Sequence, residues 1–367
     1  MRLLSINVLQ PGMVVGRSIW NEAGHPLLQK GVVIKDGIIQ RLKQLNIQYI
    51  YISDKVSKGI DIPELITPAE RRKAINTITN SFNSLKKTDA KKASYILDQQ
   101  SKELTNIVED LLNSILQSEE MLTVLTDVFL YDEYLYHHSF QVSMYSIAIA
   151  KEMGYSYDDL RLIGIGAMLH DIGKLLVPSE ILLKPGRLTN EEFEEMKQHA
   201  RYGFDILRNL HSISLIVAHC AFQHHERLDG SGYPRGLVDF EIHPFAKIIG
   251  VADVFDAVTS NRVYRGKMLP SEGIGMLQAG SGSIYSEAVV EALKRVIVKY
   301  PNGMTVKLTD GRRGVVSKQN PKQASRPFIR IFEENGEILS VTYEINLAED
   351  ILINIEKIEM DFVVSSE

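Results

Sequence analysis

At 367 residues the chain is long enough for two or three domains, at least one with a sizeable core. A composition of 44% apolar and 24% charged residues excludes a disordered or fibrous protein. A net charge of −5 supplies no basic field for gripping a nucleic-acid polymer, although a small anionic ligand at a locally positive site stays open.

From Met1 to about Asp54, short apolar runs ("MVVG", "PLLQKGVVI", "YIYI") alternate with Gly, Pro and Asn, the punctuation of short strands. With "DGIIQRLKQLNI" as one helix, residues 1–58 form a small α+β module. His25, in the turn "EAGHP", is expected to be a solvated loop residue. Over 59–120 the idiom changes. Ile75, Ile78, Phe82 and Leu85, then Leu104, Ile107, Val108, Leu111, Leu112 and Ile115, recur every three to four residues and predict amphipathic helices. This segment is expected to be a helical linker whose stripe serves core packing or helix pairing, with homodimerisation as an option. The helical idiom continues over 121–300, interrupted by the glycine-rich stretch "HHERLDGSGYP". From Pro301 strands return, with "DGRRG" as a hairpin turn, and 301–367 reads as a small β-rich extension. The expected fold is therefore multi-domain and mainly α, a helical bundle flanked by the two small modules. The single cysteine, Cys220, lies in the apolar run "SLIVAHCAF" and is expected in a core; it excludes an internal disulfide and fits a reducing compartment. With no secretory signal pattern and no run of ~20 apolar residues, a cytoplasmic protein is expected.

Nine of the ten histidines fall between His137 and His243. In "GIGAMLHDIGKLLVP", His170 and Asp171 end an apolar helix and Lys174 follows about one turn later, within reach of one site. Gly173 permits close backbone approach there. An imidazole beside a carboxylate suits divalent ions, and the carboxylate is free to bridge two of them. Further candidates are His137 and His138 in "YHHS", His199 in "KQHARYG", His224 and His225 in "QHHE", and Asp253 in "VADVFDAVTS". With no cysteine among them, a structural zinc knot is disfavoured, and catalytic iron, manganese, nickel or zinc is indicated. Two such ions would activate a water and stabilise both the attacking and the leaving oxygen of a phosphoryl displacement.

"LHDIGK", "HHERLDGSGYP" and "ADVFDAVTSNRVYR", in this order and spacing, resemble the HD-GYP family of cyclic di-GMP phosphodiesterases over about Met121 to Tyr300. The flanking modules resemble accessory domains of some members. The resemblance implies a metal centre held by His138, His170, Asp171, His199, His224, His225 and Asp253, with Asp171 bridging. It implies Lys174 over a non-bridging phosphate oxygen, where Asp171 and Lys174 serve catalysis. It places Asp256, Arg262 and Arg265, together with Gly232, Tyr233 and Pro234 of the GYP loop, at the substrate. Gly230 and Gly232 would let that loop turn beside the histidines. Ala200 stands where the family usually has proline. Its implied reaction is hydrolysis of cyclic di-GMP to linear pGpG by metal-bound hydroxide. Rival readings are a non-hydrolytic receptor or scaffold for diguanylate cyclase (GGDEF) domains, which the family also contacts, and a hydrolase of another cyclic nucleotide. Members with a third metal carry a glutamate four residues before the first motif histidine. This chain has Tyr134 there, and Glu133 would face away, so two ions and pGpG are expected. His137, His211, His219 and His243 are not expected to ligate. Glu226 is left between orienting a ligand histidine and being a solvated charge.

Overall fold

The structure is a computed structural model that describes residues 1–20, 26–45, 47–62, 65–86, 88–117, 134–260, 268–320, 323 and 325–364. The N-terminal module consists of β1 (Arg2–Ser5), β2 (Val14–Val15), β3 (Ile19–Trp20), β4 (Pro26–Leu28), α1 (Asp36–Gln44) and β5 (Tyr49–Ser53). Strand β5 lies between β1 and β2, both antiparallel to it, and β3 pairs with β4. Ile39 and Leu42 turn one face of α1 into a core with Leu4, Val15, Ile50 and Ile52.

The C-terminal module is a five-stranded antiparallel sheet of β6 (Thr305–Leu308), β7 (Arg313–Lys318), β8 (Phe328–Glu334), β9 (Glu337–Asn346) and β10 (Ile355–Ile358), in the order β10-β6-β7-β8-β9. The "DGRRG" turn joins β6 to β7, with Gly311 at a φ of 89° that favours glycine. The two terminal modules, expected as separate bodies, are joined. Leu3 N–H donates to Gly303 O at 2.7 Å and Ser5 N–H to Met360 O at 2.9 Å. Leu3 and Tyr51 share an apolar cluster with Met304, Val306, Ile329 and Ile331. Alternation along β1 and β5 explains this: successive side chains point to opposite faces, so one short sheet can serve two cores.

Between them runs the helical bundle: α2 (Pro68–Leu85), α3 (Ala90–Gln117), α4 (Tyr134–Glu152), α5 (Tyr157–Leu169), α6 (Ser179–Leu182), α7 (Asn190–Leu207), α8 (Leu215–Gln223), α9 (Pro244–Thr259), α10 (Pro270–Ala279) and α11 (Glu287–Val296). Thr67 with Glu70, and Thr189 with Glu192, form reciprocal caps that start α2 and α7. The segment expected as a linker is part of this bundle. Ile75, Ile78, Phe82, Leu97, Leu104 and Val108 lie in one buried cluster with Phe140, Ile147, Ile163 and Ile206, so the α2 and α3 stripes are covered within the chain. Cys220 is buried in the same cluster, and burial pushes its thiol up to about 12. No described helix is long and apolar enough to cross a membrane.

Candidate metal centre

Five pieces of the bundle converge on one buried place. Helix α4 brings His138. Helix α5 ends at His170, so that Asp171 opens the 3-10 turn Ile172–Leu176 that carries Lys174. Helix α7 brings His199, the end of α8 brings His224 and His225, and α9 brings Asp253 and Asp256. Two glycines make the approach possible. A Cβ on Gly173 would lie 2.0 Å from His199 O, and one on Gly250 would lie 2.6 Å from His224 O.

All seven side chains named as ligands by the resemblance come together. Donor atoms of Asp171, His199, His224 and His225 lie within 4.8 Å of one another, as do those of His138, His170 and Asp171, and those of His170, His224 and Asp253. Asp171 divides its oxygens between two sides. Its Oδ2 is 3.5 Å from His138 Nε2 and 3.4 Å from His170 Nε2, while its Oδ1 is 3.4 Å from His199 Nε2 and 3.8 Å from His224 Nε2. Asp253 does likewise, with Oδ1 3.0 Å from His138 Nε2 and Oδ2 3.7 Å from His225 Nδ1.

The imidazoles are oriented by what stands behind them. The Nδ1 atoms of His170, His199 and His224 sit 2.6, 2.7 and 2.9 Å from the carbonyl oxygens of Ala167, Met196 and Ala221, each three residues back. A carbonyl only accepts, so each Nδ1 carries a proton and each ring turns Nε2 inward; burial keeps the His199 and His224 rings neutral, leaving a bare lone pair on those two Nε2 atoms. His199 Nε2 and His224 Nε2 consequently face each other across 3.4 Å, an arrangement that repels unless a cation accepts both. His170 Nε2 and Asp171 Oδ1 are buried with no hydrogen-bond partner. Buried polar atoms without partners are costly, so these donors fit a divalent ion at each side of Asp171.

Protonation differs across the centre. Burial, reinforced by neighbouring cationic groups, pushes His199 down to about 4 and lowers His224 and His225 well below the usual imidazole range. Burial acts downward on His138 too, but hydrogen bonds to Asp253 and Asp256 outweigh it and raise this ring to about 9. Burial would raise Asp171, yet Lys174, His170 and His199 hold its carboxylate well below the ordinary range. Lys174 Nζ donates to Asp171 Oδ2 at 2.5 Å with its side chain 23% exposed, so the cation stands at the open edge of the centre.

Asp256, expected at the substrate, is placed elsewhere. It is 1% exposed; its Oδ2 faces His138 Nδ1 at 2.7 Å and its Oδ1 accepts from the Ser260 hydroxyl at 2.9 Å. Both oxygens are engaged behind the ring, so Asp256 orients His138. Glu226 is neither orienting a histidine nor solvated. Buried at 5% exposure, it accepts from the N–H groups of Arg235 and Leu237 at 2.9 Å each, tying down the far end of the GYP loop. A Cβ on Gly232 would lie 2.4 Å from Arg227 N and 2.5 Å from His225 O, so only glycine lets the loop fold over His225. Tyr233 then donates its N–H to His225 O at 3.2 Å and lays its ring 4.6 Å from that of His225, with Pro234 next in the chain.

The remaining histidines stand apart. His137 is buried, and burial with the nearby Arg71 charge pushes it down to about 3. His219 packs its ring on Phe204. His243 caps α9, its Nδ1 accepting from Phe245 N–H at 3.2 Å, a role signalled by the Pro244 that follows it at a helix start. Arg262, Arg265, Glu133 and His25, and the side chain of Tyr134, lie outside the described residues.

Comparison with known proteins agrees with this architecture. The HD domain family matches residues 108–289. Over 355 residues the chain is 29% identical to the cyclic di-GMP phosphodiesterase PA4108 of Pseudomonas aeruginosa, covering 90% of this chain and 85% of that protein. Over 247 residues it is 40% identical to a cyclic di-GMP phosphodiesterase of Thermotoga maritima, covering 66% and 65%. Over 168 residues it is 36% identical to the 3'3'-cGAMP-specific phosphodiesterase 3 of Vibrio cholerae, covering 46% and 36%. With its HD pair, paired histidines and GYP loop folded around one centre, the chain belongs to the HD-GYP family of HD-domain proteins.

Proposed function

We propose that this chain is a metal-dependent phosphodiesterase that hydrolyses cyclic di-GMP to linear pGpG. The observation that carries the reading is the division of Asp171, one oxygen toward His138 and His170 and the other toward His199 and His224. In this reading Asp171 would help hold two divalent ions, one with His138, His170 and Asp253 and the other with His199, His224 and His225. Nitrogen and carboxylate donors without thiolate suit iron or manganese, with nickel or zinc also compatible. When bound, the ions supply Lewis acidity, activating water and neutralising charge that grows on the phosphate.

The chain's own groups position that chemistry. Asp256 holds the His138 ring, and the three carbonyls hold His170, His199 and His224. Lys174 offers its ammonium to a non-bridging phosphate oxygen, exchanging part of its contact with Asp171 for the substrate. Arg262 and Arg265 are assigned to the phosphate or guanine, and Gly232, Tyr233 and Pro234 form the wall beside His225. Water adds to one phosphorus, the bond from that phosphorus to O3' breaks, and the departing 3' oxygen takes a proton. One ring-opening yields pGpG. The same reading gives the loop region a second role in meeting diguanylate cyclase domains, supported by Phe240 standing 86% exposed just beyond it.

The test is turnover by protein purified without oxygen and loaded with Mn²⁺ or Fe²⁺, with products separated by chromatography. Accumulating pGpG is expected. GMP as the main product would overturn the two-ion assignment, and intact cyclic di-GMP would favour the receptor reading. Because a Vibrio cholerae relative is named for cGAMP, the same assay run on 3'3'-cGAMP decides between substrates.

A further inference from the structure

Outside the metal donors and the GYP motif, α7 presents a second aromatic beside Tyr233. Phe193 and Lys197 stand one turn apart on one helix face. The Phe193 ring meets the Tyr233 ring edge-on, centroids 6.4 Å apart at 80°. Lys197 Nζ sits 5.3 Å from the Phe193 centroid and 5.8 Å from that of Tyr233, and pairs with Glu194 Oε1 at 2.5 Å. Tyr233 in turn lies 4.6 Å from His225. Phe193 is therefore within about 11 Å of a candidate metal ligand, yet 47% of its surface stays exposed.

We propose that Phe193 and Lys197, beside Tyr233, form a platform that binds one guanine of the substrate while its phosphate occupies the metal centre. The proposal rests on the cyclic di-GMP reading given above. Three physical points favour it. A base joined to a phosphate at the centre must leave it along one of the walls, and the Tyr233–Phe193 wall is aromatic. Every base has a π-face, and the exposed Phe193 ring offers it a partner. The adjacent Lys197 ammonium, a donor without acceptor capacity, suits the O6 and N7 acceptors of guanine and opposes the N6 amino group of adenine. Exposure alone would carry nothing, since single exposed aromatics are common on surfaces. Position carries it: the ring continues a wall that begins at His225.

The experiment uses the full, metal-loaded chain. Phe193→Ala is expected to raise KM for cyclic di-GMP about tenfold, the effect of losing one base–aromatic stack, with little change in kcat and wild-type metal content. Phe193→Trp should restore KM. It also provides a readout independent of turnover, because Trp20 is the only native tryptophan: the new indole emission should fall when cyclic di-GMP is added. Lys197→Met should reduce the preference for cyclic di-GMP over cyclic di-AMP, and an unchanged preference would remove the lysine from the platform. An unchanged KM in Phe193→Ala, or Phe193→Trp emission that stays constant at saturating dinucleotide, overturns the platform while the functional reading stands. Wild-type protein that leaves cyclic di-GMP intact removes the functional reading and the platform with it.

Discussion

The two sides of Asp171 both rest on histidine rings, and the rings are held in different ways. Toward His199 and His224, the rings are fixed by backbone carbonyls and kept neutral by burial, with lone pairs already facing inward. Toward His138, the ring is clasped between Asp253 and Asp256 and held protonated up to about 9. The first side is prepared for a cation. The second must exchange a proton for one. Histidine ligates as the neutral ring, so a shared reliance on imidazole does not mean equal binding.

Replacing the shared carboxylate should break both sides together. Asp171→Asn is expected to abolish turnover and to lower metal content on both sides, and His170→Ala combined with Asp171→Ala should do the same without unfolding the terminal modules, as followed by elemental analysis and circular dichroism. Undiminished hydrolysis by either variant would take the HD pair out of the mechanism. Asp256→Asn should separate the sides: affinity at the His138 side falls about 10- to 100-fold, the usual cost of losing a ligand's orienting partner, while the other side binds as before. Equal losses at both would show that Asp256 acts on the whole centre.

The difference also has a pH signature. Metal binding at the His138 side displaces one proton from a group with a pKa of about 9, so affinity there should rise about tenfold per pH unit from pH 7 to about 9 and then level. His199, lowered to about 4, carries no proton to lose in that range, and the affinity of its side should stay flat. Calorimetry in buffers of different ionisation enthalpy reads the proton directly; release at both sides or neither would contradict the contrast. The smallest effect is expected at the loop. Gly232→Ala pushes a methyl against Arg227 N and His225 O, costing about 1–3 kcal/mol and loosening the His225 side only. Unchanged thermal stability would mean that the loop sits less tightly on His225.

Much of this centre was legible in the sequence because its ligands sit in short motifs with fixed helical spacing, such as the "HD" of "LHDIGK" and the "HH" of "QHHE". What decides the contrast was not. Asp256 lies one turn after Asp253, which suggests a shared site, but only the packing of α9 on α4 turns its carboxylate behind His138. Glu226 looked ambiguous because its partners, Arg235 and Leu237, bond through backbone N–H groups that no residue type announces. The terminal modules read as separate because the cluster joining Leu3 to Met304 and Ile331 depends on contacts between distant parts of the chain. The helices α2 and α3 read as a linker for a related reason: their apolar spacing signals a buried face without naming what covers it.

The most direct test adds Mn²⁺ stepwise to metal-free protein at pH 7 and follows cyclic di-GMP hydrolysis at each equivalent. Turnover should stay low through the first ion per chain, which enters the His199 side, and rise to its full value with the second. Full activity at one equivalent, or none after two ions are bound, would contradict a centre in which Asp171 works by joining both sides.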